Sequence, residues 1–445
     1  NLLVNNEENI CCVGDDDQSI YSWRGAEIKN FLTFDKIYKD CKVFKLEQNY
    51  RSTKNILETA SNLISYNSNR VGKKLWSDSN QGELVKLNCY RTGKEEAQGI
   101  SDIIEQKIKN KFSFNDVSIL VRAIYQTREF EERFLQVGIG YRVLGGTKFY
   151  ERAEIKDAVS FLRIINQKFD DLALERVIGV PKRGVGESTL NQVYTFGKSN
   201  KLCLEDSIIK IIEKGGFKPK IKSALNQLIN IIHKWRKDSK NMKHFDLLKL
   251  VLDESGYSSM LKNKNDLENE NRLENLKELL RAMRDYDNLQ SFLEHVALAT
   301  SIDQEWEGAK INLMTMHAAK GLEFDVVFLP GWEEGLFPHQ KSLEEKGDFA
   351  LEEERRLAYV GITRAKKEAY LSFAMKRAYH GDWMDALPSR FINEIPESSL
   401  EKNEISLNES DDFEFNQDNS IEFDEEYRSP GWDRYKKNKM LKWKK

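Results

Sequence analysis

Strand-type patterning stops near residue 149 and does not return until residue 310, and that interruption limits the folds open to this chain. Before it, short apolar runs alternate with amphipathic stretches of helical period, the pattern of a parallel α/β sheet. Residues 1–48 read as strand ("ICCV"), loop, helix ("GAEIKNFLTFDKIY") and strand ("CKVFKLE"), a βαβ fragment. In residues 49–148 the strand candidates are "ELVKLNCY", "DVSILVR" and "YRVLGG". The helix "STKNILETASNLISYN" precedes them with Ser52 or Thr53 as its expected cap, and "TREFEERFLQVG" lies between the last two. Residues 149–308 carry only long helical patterns, such as "EIKDAVSFLRIINQ" and "NRLENLKELLRAMRDY". In 309–396 the α/β pattern resumes with "INLMTMH", "DVVFLPG", a helix through "EEERRLAYVGITRA", and "EAYLSFA". The fold class that follows is α/β, a parallel sheet interrupted by an all-helical inserted domain.

Charge is uneven. The whole chain carries −3, but residues 397–426 hold twelve Asp/Glu against one Lys, and 428–445 hold eight Lys/Arg against one Asp. The first 396 residues are therefore close to neutral, and any binding of nucleic acid must rest on local sites rather than bulk charge. Residues 397–445 read as a disordered tail, acidic then basic. No apolar run approaches the ~20 residues of a membrane-spanning helix, so no membrane partner is expected. The five cysteines (11, 12, 41, 89 and 203) show no metal-ligand spacing, and a reducing, cytoplasmic compartment is expected.

Polar and aromatic residues concentrate at a few places. "VGDDDQSIYSWRGAE" follows the first apolar run. Its three aspartates suit either Mg²⁺ or a tight turn. Gln18 is a residue type that orients water or senses a γ-phosphate. Tyr21 and Trp23 share a face if the segment is extended, so Trp23 reads equally as a base-stacking platform, with Arg24 on a phosphate, or as a core plug. "EQNYRST" puts Tyr50 and Arg51 at a strand-to-helix junction, an edge where open α/β sheets bind ligands. "MTMHAAKGLEF" sets His317, Lys320 and Glu323 on one inter-strand loop. Arg364 ends the helical stripe of "EEERRLAYVGITRA" and reads either as an arginine finger or as part of a charged helix face. In the helical region, "VPKRGVGEST" pairs Lys182 and Arg183 with Gly184 and Gly186, a modest phosphate-contact signal.

Taken in order, "VGDDDQSIYSWRGA", "LEQNYRS", "GTKFYERAEIKDAVSFLR", "PKRGVG", "LMTMHAAKGLEFDVVFLPGWEEGLFPH" and "EEERRLAYVGITRAKKEAYLSFA" resemble the later motifs of UvrD/Rep/PcrA-type superfamily 1 DNA helicases over residues 8–395. The resemblance implies RecA-like motor lobes, each with an inserted domain, ATP between the lobes and single-stranded DNA across them. It assigns residues 1–48 to the end of a first lobe, 49–148 and 309–396 to a second, and 149–308 to a duplex-contacting insertion. Gln18 resembles the γ-phosphate sensor, Arg51 and Arg364 the γ-phosphate arginines, Tyr50 the adenine-stacking ring and Glu323 a ribose contact. Tyr21, Trp23, Arg24 and His317 resemble single-strand contacts, and Lys182, Arg183, Gly184 and Gly186 match the duplex-binding motif.

The sequence departs from the pattern in one large respect. It holds no GxxxxGK[ST]; the nearest lookalike, Gly197-Lys198-Ser199, has Gln at 192 and lies in the helical region. The Walker B pair is also unmatched, so the Mg²⁺ ligands are expected outside these residues. A smaller departure is His380 where relatives place an aromatic before Gly381, with Tyr379 as a substitute. The expectation is the C-terminal part of an ATP-dependent 3′→5′ DNA helicase of repair or replication, inactive alone, acting on single strands and single-strand/duplex junctions with repair proteins as partners. The alternatives are a split helicase subunit completed in trans and a non-catalytic DNA-binding module.

Overall fold

The computed structural model describes residues 10–38, 41–109, 112–263, 267–301, 308–379 and 382–403. The chain divides into two compact units. Of the described residues, one contains those of 10–146, 309–379 and 383–403, and the other those of 147–308 with Asp382.

The first unit is built on an eight-stranded sheet. Its strands are β1 (Val85–Thr92), β2 (Val117–Val121), β3 (Tyr141–Val143), β4 (Ile311–Thr315), β5 (Phe324–Leu329), β6 (Ala365–Tyr379), β7 (Asp382–Asp385) and β8 (Leu400–Asn403). The order is β3-β4-β2-β5-β6-β1-β8, every neighbouring pair in it is parallel, and β7 pairs with β6. β4 therefore lies between β3 and β2, with Tyr141 opposite Ile311 and Ser118 opposite Asn312. The two stretches of α/β pattern on either side of the helical region thus form one sheet.

Alternation along each strand sorts side chains to the two faces. Leu120, Met314, Val327 and Leu329 pack on one side with helices Lys54–Ile64 and Gln340–Ile362, through Ile56, Ala60, Leu63, Leu357 and Val360. Ile119, Val121, Leu313, Val326 and Phe328 pack on the other with helices Gly93–Lys109 and Thr127–Val137, through Ile100, Ile104, Phe130 and Phe134. Each of these fully buried side chains contributes roughly 1.5–3 kcal/mol. With both faces covered, the strands read as nearly continuous apolar runs, which is why they were recognisable in sequence.

Among the described residues of 147–308 the second unit is all helical, built around Ala153–Asn166. Phe161 meets Trp235 and Tyr257 edge-on at 6.0 and 6.2 Å. The buried Asp157 carboxylate accepts hydrogen bonds from Tyr257 Oη at 2.7 Å and Arg176 Nε at 2.6 Å, so the polar group enters the core with its partners.

Three sequence expectations are corrected. "ICCV" and "CKVFKLE" are not strands, because among the described residues no strand lies beside either to accept its backbone hydrogen bonds. Residues 16–37 instead form short helical turns, Asp16–Gln18, Ser22–Arg24, Ile28–Leu32 and Phe34–Ile37, within the first unit. Residues 397–403, expected in the tail, form a 3₁₀ turn and then β8, which pairs with β1 from Val85↔Leu400 to Asn88↔Asn403. The rest of that tail lies outside the described residues, as do His380 and Gly381; Tyr379 closes β6. Finally, Thr53 occupies the N-cap of helix Lys54–Ile64, but its side chain makes no capping bond, and the Ser52 hydroxyl donates to Ala365 O instead.

Candidate functional site

Two clusters of the predicted residues form at opposite ends of the strands, and the part of helix Gln340–Ile362 beyond its kink at Gly347 runs between them.

The first cluster lies past the carboxyl end of β4. Tyr21 Oη donates to His317 O at 3.0 Å, and its ring lies 6.3 Å from Trp23 and 6.2 Å from the His317 ring. Trp23 meets His317 edge-on at 6.4 Å yet stays 46% exposed, so the core-plug reading is overturned. The Arg24 guanidinium covers the Trp23 ring at 4.5 Å, and Lys320 Nζ lies 5.4 Å from the Tyr21 ring. The imidazole of His317 is held neutral. Burial, then the nearby Arg122 and Arg24 charges, lowers its pKa to about 4, although Glu354 opposes them. The exposed ring face with cations beside it can stack an unpaired base and hold phosphate.

Gln18 sits at the end of the turn Asp16–Gln18. Its Nε2 donates to Asp15 Oδ2 at 2.7 Å, and its carbonyl accepts from Lys320 Nζ at 2.9 Å. The three aspartate carboxylates lie within 4.8 Å of one another, close enough for a metal ion. Their oxygens are already engaged, however. Arg70 grips Asp17 through two bonds of 3.0 and 2.7 Å, Val71 N donates to Asp16 at 2.7 Å, and Lys73 pairs with Asp15 and Asp17. Carboxylates already taken by two cations and a backbone N–H do not fit Mg²⁺. The triple aspartate is a buried ion-pair hub, and residues 70 and 73 carried no signal that would have revealed it.

The second cluster corrects the expected edge. Glu323 precedes β5 and Arg364 precedes β6, so the arginines gather at the amino ends of these strands, not the carboxyl ends. Among the described residues no strand precedes Tyr50, and an isolated bridge joins Gln48 to Trp76. The Asn49 side chain accepts from the backbone N–H groups of Arg51 and Ser52 at 2.9 and 3.0 Å, fixing the turn. Arg51 Nε then donates to Glu323 Oε2 at 2.9 Å. Tyr50 is 81% exposed, its ring free to stack. Arg364 is buried and is not part of a charged helix face. Its donors reach Val360 O at 2.9 Å, Leu322 O at 3.2 Å and Thr363 Oγ1 at 3.2 Å. Burial and then the Arg51 charge pull its pKa down to about 10. Arg51 and Arg364 lie near enough for their charges to oppose each other, with the Glu323 carboxylate close to both, so an added anion is favoured and this cluster fits a phosphate.

The connecting helix bonds to the first cluster along its middle. Glu353 accepts from Ser22 N at 2.9 Å and from the Ser22 hydroxyl, and Arg356 Nε donates to Ser19 O at 3.0 Å. Glu354 forms a buried pair with Arg122 at 2.6 and 2.9 Å. These partners, 232 to 337 residues apart in sequence, were invisible to pattern reading.

In the helical unit, Lys182, Gly184 and Gly186 are exposed, and Gly184 has φ 76° with open space around it. Arg183 also has partners within its own loop. Its Nη1 donates to Val177 O at 2.6 Å and Pro181 O at 2.9 Å, so it braces its own loop.

Comparison with known proteins agrees with this layout. The profile of the UvrD-like helicase C-terminal domain matches residues 44–376, and that of the UvrD/REP helicase N-terminal domain matches residues 1–39. DNA helicase II of Rickettsia typhi is 46% identical over 399 residues, which cover 89% of this chain and 61% of the relative. The ATP-dependent DNA helicase PcrA of Staphylococcus aureus is 40% identical over 410 residues, 90% of this chain and 56% of the relative. The chain thus spans about three fifths of the length of these curated relatives. A crystal structure of the C-terminal domain of a possible DNA helicase from Lactobacillus plantarum aligns over 80% of this chain and 99% of its own, with TM-score 0.32 and 10% identity, too distant to bear on the fold.

Proposed function

Because this chain belongs to the family of UvrD-like DNA helicases, we propose that it forms the DNA-gripping and arginine-bearing part of an ATP-driven helicase that moves 3′→5′ along single-stranded DNA in repair or replication. One observation carries the reading. Helix Gln340–Ile362 is kinked at Gly347, and the straight part beyond the kink is bonded at Glu353 and Arg356 to the segment bearing Gln18 and Trp23 and ends next to Arg364.

ATP supplies the free energy through transfer of its γ-phosphoryl group to water. The residues here would act on charge and position. Arg51 and Arg364 present N–H donors to that group, Gln18 senses it, Tyr50 stacks on the base, and Glu323 holds Arg51 while facing the sugar. Tyr21, Trp23, Arg24 and His317 grip a single strand, and Lys182 with Gly184 and Gly186 approaches the phosphates of a duplex at a junction. The 445 residues contain no GxxxxGK[ST], so the β-phosphate cradle and the Mg²⁺ ligands are proposed to come from a further segment or a second chain.

The test is unwinding of duplexes with a 3′ or a 5′ single-stranded tail, by this chain joined to P-loop and Walker B elements of a relative. Unwinding of the 3′-tailed duplex alone is expected. Preference for the 5′ tail would refute the polarity, and failure of this chain to bind a labelled oligo(dT) would refute the reading itself.

A further inference from the structure

We propose that Glu353 is a positioning residue for base stacking, seating the turn that carries Trp23 on the helix that leads to Arg364. The inference rests on the single-strand reading given above.

The turn Ser22–Arg24 is only three residues long and holds no buried residue, so its own packing does not fix it. What fixes it is a fork. The Glu353 carboxylate takes both the backbone N–H, at 2.9 Å, and the hydroxyl of Ser22, the residue immediately before Trp23. Arg356, one helical turn further on, takes Ser19 O at 3.0 Å, so two side chains of one helix face hold both ends of residues 19–22. Val360 continues that face, and its carbonyl accepts from Arg364 Nε at 2.9 Å. From Glu353 to the helix end at Ile362 the chain advances nine residues, about 14 Å of helix, and Arg364 follows two residues later. A shift of this helix along its axis would therefore move the stacking ring and the buried arginine together. Hydrogen bonds to a carboxylate are the stronger kind and leave little slack in such a coupling.

The experiment uses the full chain and a fluorescently labelled oligo(dT), with affinity measured against salt and melting followed on the same samples. Glu353→Ala is expected to weaken binding about tenfold, the scale of losing hydrogen bonds to a charged group. Because the carboxylate touches no phosphate, the slope of log affinity against log salt should stay as in the parent. Glu353→Gln keeps an acceptor for Ser22 and should bind within about threefold of the parent, and Ser22→Ala should show an intermediate loss. The discriminating variant is Glu353→Ala with Trp23→Ala. If Glu353 acts through Trp23, the double variant binds no more weakly than Trp23→Ala alone. Losses that add in full, or a Glu353→Ala chain that binds like the parent, overturn this inference and leave the stacking reading intact. A Trp23→Ala chain that binds like the parent overturns both.

Discussion

Replacing Trp23 by Ala separates two physical roles that sequence left equal. The ring is 46% exposed, and its neighbours are the Arg24 guanidinium at 4.5 Å and the edges of Tyr21 and His317 beyond 6 Å. Its removal opens no sealed cavity. The stability cost is one exposed cation–π contact, about 0.5–1 kcal/mol, with a surface substitution effect of about 0.5 kcal/mol on top. A buried Trp would have cost about 3–5 kcal/mol. Stacking one base on the ring is worth about 1–3 kcal/mol, which corresponds to a 5- to 150-fold loss in affinity for a single strand. The loss should be much the same for oligo(dT) and mixed sequence, since every base has a face to stack. Stacking is not ionic, so the salt slope should hold, whereas Arg24→Ala should reduce it by about one phosphate contact. Fluorescence anisotropy with a labelled oligonucleotide gives the affinity, and a thermal melt of the same variant gives the stability. A variant that melts early but binds, where folded, as tightly as the parent would refute the reasoning.

Three further outcomes follow from the geometry. In a complex able to turn over ATP, Arg364→Ala should lower kcat by roughly 10³-fold while changing oligonucleotide affinity less than about threefold; a variant keeping half its kcat would return Arg364 to a purely structural role. His317, with its pKa lowered to about 4, binds a proton in the unfolded chain but not in the folded one between that value and 6.5. Its contribution to stability is therefore lost as pH falls through that window, by up to about 1.4 kcal/mol per unit, and the melting difference between parent and His317→Gln should narrow from pH 6.5 to 4.5; a constant difference would contradict it. Arg183→Ala should lower the melting temperature of the helical unit by leaving the Val177 and Pro181 carbonyls without their donor, while Lys182→Ala should leave melting alone and reduce the salt slope for duplex-tailed DNA by about one; the reverse pattern would reject the division.

How much was legible depended on where a residue finds its partner. β2 and β5 were readable because strands covered on both faces consist of little but apolar residues, "VSILV" and "FDVVFL". β8, "LEKN", has one buried residue in four and sits at the sheet edge, so nothing in its composition marks it as a strand. The "ICCV" error is of the opposite kind, since apolar composition alone does not provide a neighbouring strand. At the site, residue types pointed to Trp23, Arg51 and Arg364, which are informative side chains at element ends. The groups that hold them in place were hidden. Glu353, Arg122, Arg70 and Lys73 look like ordinary surface charges until the fold sets them against Ser22, Glu354 and the aspartates. The bonds from Arg183 to the carbonyls of Val177 and Pro181 were hidden for the same reason, because a basic residue in a glycine-rich loop gives no sign of which backbone carbonyls it will meet.

The placement of β4 beside β3 constrains what can replace the helical unit. The two strands are parallel neighbours, so the chain leaves β3 at its carboxyl end and must enter β4 at its amino end, a strand's length away. In most α/β proteins one crossover helix makes that return; here residues 147–308 do so. Excision cannot be repaired with a tight turn between Gly146 and Ala309. A minimal version of the sheet unit needs a crossover of a dozen or more residues, and by the same logic any folded module whose termini can span a strand's length is an acceptable substitute. The position is thus a socket open to domain exchange.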